Sequence, residues 1–255
     1  KALAQGIRFP AGEMEAWSYA ELSKQTLEKM ALSASGTYTE EQINAMTVQE
    51  EVIDDALLAV ETLAKTPGID ADAIVLVGHS LGGMLAPRIA AQSGKVAGIV
   101  SLAGSARGYL DIVYDQNMAQ TDDASQQNVI KKEYKKIDKL KNMKDSDTLF
   151  GIPVPYLKDL YAHPVEESLA QLDIPILVMQ GENDFQINTA DYKSWQKALE
   201  NYAGEKEFVL WPELNHLFVR DSAFKRRGTI AEYLQEGHVD QAVTDKIASW
   251  MLKIN

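Results

Sequence analysis

Residues 74–83 read IVLVGHSLGG: four apolar residues, then glycine, histidine, serine, leucine and two glycines. The run Ile74–Val77 is short and unalternating, as a strand covered on both faces should be. LGGMLAPRIAAQ follows with helical periodicity, so Ser80 falls at a junction between a strand and a helix. In a parallel sheet wrapped by helices, ligands bind at such carboxyl ends of strands. A G-x-S-x-G match by itself arises by chance in roughly one chain in ten of this length. Its setting therefore decides its meaning, together with the residues at the ends of later strands.

Upstream, TVQEEVIDDALLAVETLAKTPG reads as a helix. Thr47 and Glu50 fit a capping box, and Val52, Ile53, Ala56, Leu57, Val60 and Leu63 form one apolar face, with Pro67 and Gly68 as the stop. Pro87 should bend the helix after Ser80 or remove one backbone bond from it. Downstream, VAGIVSLAG and IPILVMQG read as buried strands, KEFVLWP as a fourth strand, and ADYKSWQKALENY and VDQAVTDKIASWMLKI as helices. This alternation predicts an α/β fold, a mostly parallel sheet flanked by helices. Residues 105–172 break it. They are polar, carry the lysine-rich helix NVIKKEYKKIDKLKN and scatter Tyr109, Tyr114, Phe150, Tyr156 and Tyr161. They read as an inserted helical cap between core segments 1–104 and 173–255, the lysines on a solvated face and the aromatics as packing residues.

The chain has 255 residues, 45% of them apolar, and no apolar run long enough to cross a bilayer. A soluble globular protein with one large domain is expected. Without cysteine there is no disulfide framework, thiolate metal site or cysteine nucleophile, which fits the cytoplasm and a disulfide-free secreted protein equally. The net charge of −12 argues against nucleic acid as a partner. No secretory leader is visible, and a start at Lys1 points to an upstream segment that has been removed.

A serine hydroxyl needs an imidazole within hydrogen-bond reach, and a carboxylate to hold that imidazole in the right tautomer. QGENDFQI puts Asp184 in a tight polar turn just past one strand, with Glu182 and Asp191 as alternative acids. ELNHLF puts His216 just past the next strand, whereas His79 lies inside the turn, and His163 and His238 occupy no strand end. A sharp turn would project the Ser80 hydroxyl, with Gly78 and Gly82 allowing close packing and His79 beside the serine. The N–H of Leu81, at the positive end of the following helix, would face a developing oxyanion. A dinucleotide site is disfavoured, since G-x-G-x-x-G is absent. No cluster of histidines and carboxylates has metal-ligand spacing.

With serine, acid and histidine in that order, the sequence resembles an α/β-hydrolase. It is most similar to the cap-bearing bacterial serine esterases related to dienelactone hydrolases and prolyl-oligopeptidase-like enzymes. The resemblance covers roughly residues 47–255 and rests on GHSLGG, QGENDFQI and ELNHLF, with GHVD a lesser match. It implies Ser80 as nucleophile, His216 as base, Asp184 as orienting acid and Leu81 as oxyanion donor. It also implies a small-molecule ester as substrate and no cofactor or metal. A peptidase, thioesterase or acyltransferase would use the same triad, and a silent ligand-binding relative would keep the fold. Members ordinarily have several strands before the nucleophile strand, one leading into a loop with a second oxyanion N–H. Residues 1–46 contain no recognisable buried strand. The expectation is therefore that an upstream segment of the same protein completes the sheet; a pared-down variant with a covered edge is the alternative. Loss of one oxyanion donor would cost about 2.7–4 kcal/mol.

Overall fold

The computed structural model of the chain describes residues 39–220, 232 and 236–254. Its elements begin with α1 (Glu40–Ala45), α2 (Asp54–Ala64), β1 (Val75–His79), α3 (Leu81–Ser93) and β2 (Gly98–Leu102). Next come α4 (Tyr109–Ala119), α5 (Ala124–Tyr134), the short strands β3 (Thr148–Leu149) and β4 (Ile152–Pro153), and α6 (Val154–Ala162). The chain closes with α7 (Val165–Leu169), β5 (Ile176–Gly181), α8 (Thr189–Ala198), β6 (Lys206–Trp211) and α9 (Gln241–Met251). Two compact units result. One holds Val52–Gly108 and His163–Asn255, the other the chain through Glu51 with Tyr109–Ala162.

The first unit is built on a four-stranded sheet in the order β1-β2-β5-β6. Every pairing is parallel, with Val77 opposite Val100, Val100 opposite Leu177 and Leu177 opposite Glu207. The four apolar runs thus become the four strands. β5 is buried along its whole length and β2 along all but its last residue, as unalternating sequences require. Val100, Ala103, Leu177 and Met179 join Leu214, Phe218, Val243 and Trp250 in one core. Each of the valine, leucine, methionine and phenylalanine side chains among them contributes about 1.5–3 kcal/mol relative to exposure. α3 runs unbroken through Pro87 to Ser93 and ends at Gly94 in the left-handed region, so the proline removes a bond without ending the helix. In α2 the predicted face is shortened: Val60 is buried, but Leu63 is 43% exposed in the final turn.

β1 has a neighbour on one side only among the described residues. Ile74 O accepts from Ala97 N and Ser80 N donates to Leu102 O, so this register faces β2. Backbone groups alternate sides along a strand, which turns those of Val75, Val77 and His79 the other way. Nor is β1 covered on both faces as its unalternating run predicts: Val77 is 49% exposed, unlike the fully buried Val100 opposite it.

In the second unit, Thr39 and Gln42 close a capping box on α1. Thr47 accepts and Glu50 returns the bond at the next start, as predicted, although Gln49–Ile53 is wound as a π turn. Leu110, Leu140, Leu149, Val154 and Leu157 form its core, with Tyr109, Tyr134, Phe150 and Tyr161 packed around them. The lysine-rich stretch is α5 followed by a 3-10 segment, Lys135–Asn142, in which Leu140 is the buried residue. β3 and β4 form a hairpin turning through Phe150 and Gly151, both at positive φ. The expectation for residues 1–46 falls mostly outside the described residues.

Candidate active site

The strand–helix junction is strained and pinned. Ser80 has φ 55° and ψ −120°, a conformation that a non-glycine residue keeps only when its surroundings impose it. Its N–H donates to Leu102 O at 2.8 Å, and its carbonyl accepts from Gly83 N at 2.9 Å and Met84 N at 3.1 Å. Both sides of the residue are therefore tied, one to the sheet and one to α3. A Cβ on Gly78 would lie 2.2 Å from Gly82 O, so this position must be glycine. The second glycine that the packing requires is Gly83 and not the predicted Gly82. A Cβ on Gly83 would meet Ser101 Oγ at 2.7 Å, whereas one on Gly82 meets nothing within 4 Å. Leu81 opens α3, where the leading N–H groups have no acceptor within the helix and carry its positive end.

Asp184 lies just past β5 and is 5% exposed. Its Oδ1 accepts from Gln186 N at 2.8 Å and Ile187 N at 2.9 Å. Its Oδ2 accepts from His216 at Nδ1 at 2.8 Å and from Gln180 Nε2 at 2.9 Å. A carboxylate can only accept, so the proton sits on Nδ1 and Nε2 of neutral His216 keeps a lone pair. The loops bearing acid and histidine are latched. Glu182 N donates to Trp211 O, Asn183 N to Leu214 O, and a Cβ on Gly181 would lie 2.3 Å from Leu214 O.

His216, 3% exposed, sits in a tight turn made by its neighbour. Asn215 Oδ1 accepts from Leu217 N at 3.0 Å and Val219 N at 3.1 Å, and Asn215 Nδ2 donates to the buried Glu232 at 3.1 Å. Phe218 follows at φ 56°. The link to the serine side is His79, the residue before Ser80. Its Nε2–H donates to His216 O at 2.8 Å, and the two rings lie 4.6 Å apart.

Of the predicted acids, then, Asp184 meets His216. Glu182 is exposed, and Asp191 is fully buried in another task. Asp191 caps α8 with Asn188, accepts from Ser105 Oγ at 2.7 Å and pairs with Arg107 at 3.1 Å. His163 and His238 are exposed, the latter just before α9. Sequence reasoning missed Gln180. The signal was a polar residue inside a wholly apolar strand.

Burial holds the His79 imidazole below its ordinary pKa of 6.5, with electrostatic repulsion from the neighbouring His216 ring as the second cause. The folded protein therefore binds fewer protons at this site than the unfolded chain does as pH falls below about 6.5. Stability is lost on acidification through that window. His79→Gln keeps a donor toward His216 O but cannot titrate, so its stability should fall less than the wild type's between neutral and mildly acidic pH. Denaturant melts at a series of pH values check this.

A parallel sheet with a strained serine turn at one strand end, and an acid–histidine pair at the ends of two others, is the arrangement of an α/β-hydrolase. Residues 36–237 match the prolyl oligopeptidase family, and the chain belongs to it. It is 33% identical over 210 residues to esterase EstD of Thermotoga maritima, covering 82% of this chain and 49% of that protein. The chain thus spans about half the length of that relative. The structure is similar to Est1E from Butyrivibrio proteoclasticus, with a TM-score of 0.54 and 16% identity over 82% of this chain and 71% of that one. Dipeptidyl peptidase 4 of Porphyromonas gingivalis gives a TM-score of 0.50 and 14% identity, over 84% of this chain and 24% of that one. At such identities the likeness is one of fold. Among the described residues, no helix is long and apolar enough to cross a membrane.

Proposed function

We propose that this protein is a serine hydrolase that cleaves a small carboxylic ester through an acyl-enzyme. The observation that carries the reading is the buried bond from His216 Nδ1 to Asp184, which leaves Nε2 as the base, joined through His79 to the turn bearing Ser80. Ser80 Oγ attacks the ester carbonyl while His216 Nε2 takes its proton. Negative charge gathers on the carbonyl oxygen and is met by the Leu81 N–H at the helix start. The C–O bond to the alcohol breaks as imidazolium returns the proton to the leaving oxygen. Water, deprotonated by the same nitrogen, then releases the acid and restores Ser80. Asp184 holds the tautomer throughout and stabilises the imidazolium.

The name of the Thermotoga relative favours an ester over an amide, while the family's name keeps peptide bonds in view. The side of β1 that the described residues leave unpaired supports the further reading that an upstream segment of the same protein pairs with it and completes the sheet. The test is an intact-mass spectrum after brief exposure to p-nitrophenyl acetate, beside turnover on p-nitrophenyl esters and aminoacyl anilides. One acetyl group on the Ser80 peptide, lost on standing, is expected, with esters turned over faster than anilides. A protein that never acquires the acetyl group and hydrolyses neither substrate is a binding relative and not an enzyme.

A further inference from the structure

Gln180 is the penultimate residue of β5 and only 1% exposed. A strand buried on both faces has no use for an amide unless the amide is bonded, because an unpaired one loses its bonds to water without replacement. Its Nε2 donates to Ile187 O at 2.7 Å and to Asp184 Oδ2 at 2.9 Å, with Gly181 O farther off at 3.2 Å. Two hydrogens thus have two good acceptors, and one of these is the carboxylate oxygen that also receives His216 Nδ1–H.

We infer that Gln180 is a positioning residue for the proposed triad, fixing the Asp184 carboxylate and sharing the charge on the oxygen that holds His216. The inference rests on the roles given above to Asp184 and His216. Its geometry is specific. Oδ1 is already held by two backbone N–H groups of the turn, so the plane of the carboxylate depends on what holds Oδ2. The same amide ties Ile187 O, which lies at the far end of that turn, back to the strand. Gln180 therefore clamps both ends of the loop from Asp184 to Ile187 from beneath. Bonds to a charged acceptor are also stronger than neutral ones. Withdrawing this donor leaves more charge on Oδ2 and tightens its hold on the imidazolium. Among the described residues, the other titratable groups near His216 are His79, across the ring contact, and Glu232, which reaches it through Asn215.

Gln180→Met keeps the volume and removes the donor. The expected result is a fall in kcat of about tenfold to a hundredfold, the worth of one bond to a charged group, with KM unchanged. The acid limb of the kcat/KM profile should move to higher pH, and the far-downfield proton resonance of the His216 Nδ1–H should shift. A side chain that merely fills space would move neither the profile nor the resonance. Gln180→Glu is the second variant. Its carboxyl, when protonated, can still donate to Oδ2; once ionised it faces a like charge, so its deficit against wild type should widen as pH rises. A folded Met variant with wild-type rate, profile and resonance overturns the inference, and so does a Glu variant whose deficit is independent of pH. Failure of both to fold would assign Gln180 to the fold alone. Ser80→Ala separates the two levels. If it stays active, the triad reading falls; if it is inert while both Gln180 variants behave as wild type, only the positioning role falls.

Discussion

Ser80→Ala should lower kcat on an activated ester by about ten thousand- to a million-fold and abolish labelling by a fluorophosphonate, because the members of a triad act as a unit. The variant keeps everything that holds the turn. The bonds to Leu102 O, from Gly83 N and from Met84 N are all made by backbone atoms. Alanine at φ 55° is strained much as serine is, so the midpoint of thermal unfolding should scarcely move. Only the proposed attacking oxygen is lost, and KM should stay near its wild-type value. Rates of ester hydrolysis, gel fluorescence after labelling and a melt on the same preparation provide the check. Labelling of the alanine variant at wild-type intensity would place the nucleophile elsewhere.

Asp184→Asn comes second, at about ten thousand-fold in kcat. The amide is isosteric, and its oxygen can still accept from Gln186 and Ile187 on the backbone side. Its NH2 then faces His216 Nδ1 and the Gln180 amide, where two donors already point. The simplest relief is for His216 to carry its proton on Nε2, and an imidazole so protonated cannot take one from Ser80. Labelling should fall with the hydrolysis rate, while circular dichroism and melting stay close to wild type. Asp184→Ala would confuse the comparison by leaving the Gln180 amide buried with one partner fewer. A rate within tenfold of wild type in the asparagine variant would mean that another group orients the histidine.

β2 and β5 were legible because burial on both faces leaves an unalternating apolar run; β1 and β6 carry the same kind of run although neither is buried throughout, and each run is bounded by glycine, proline or a polar turn. Asp184 and His216 were legible for a related reason: each stands just past such a run, where side chains reach the open end of the sheet. What escaped was whatever depends on the third dimension. Gly82 and Gly83 are adjacent and chemically identical in sequence; only the approach of Ser101 Oγ and of the Gly78 and Gly104 backbone makes the second one obligatory. Gln180 looked like a lapse in an apolar pattern because its partners arrive from a turn that follows it. Asp191 resembled a possible acid until its place as the cap of α8 became visible. The expected apolar face of α2 failed at Leu63 because periodicity marks a direction and does not reveal where the packing beneath it stops.

The latch between the loops after β5 and β6 bears on the order in which heat would inactivate the protein. With Gly181 against Leu214, and backbone bonds from Glu182 and Asn183 across the gap, acid and histidine travel as a single block seated on the two strands. Parting acid and histidine means breaking those backbone bonds. Ser80 instead follows the strand that, among the described residues, has one lateral neighbour. On warming, the hydroxyl should therefore drift out of line before the Asp184–His216 pair dissolves, and catalysis should fade at temperatures where the downfield imidazole proton can still be seen.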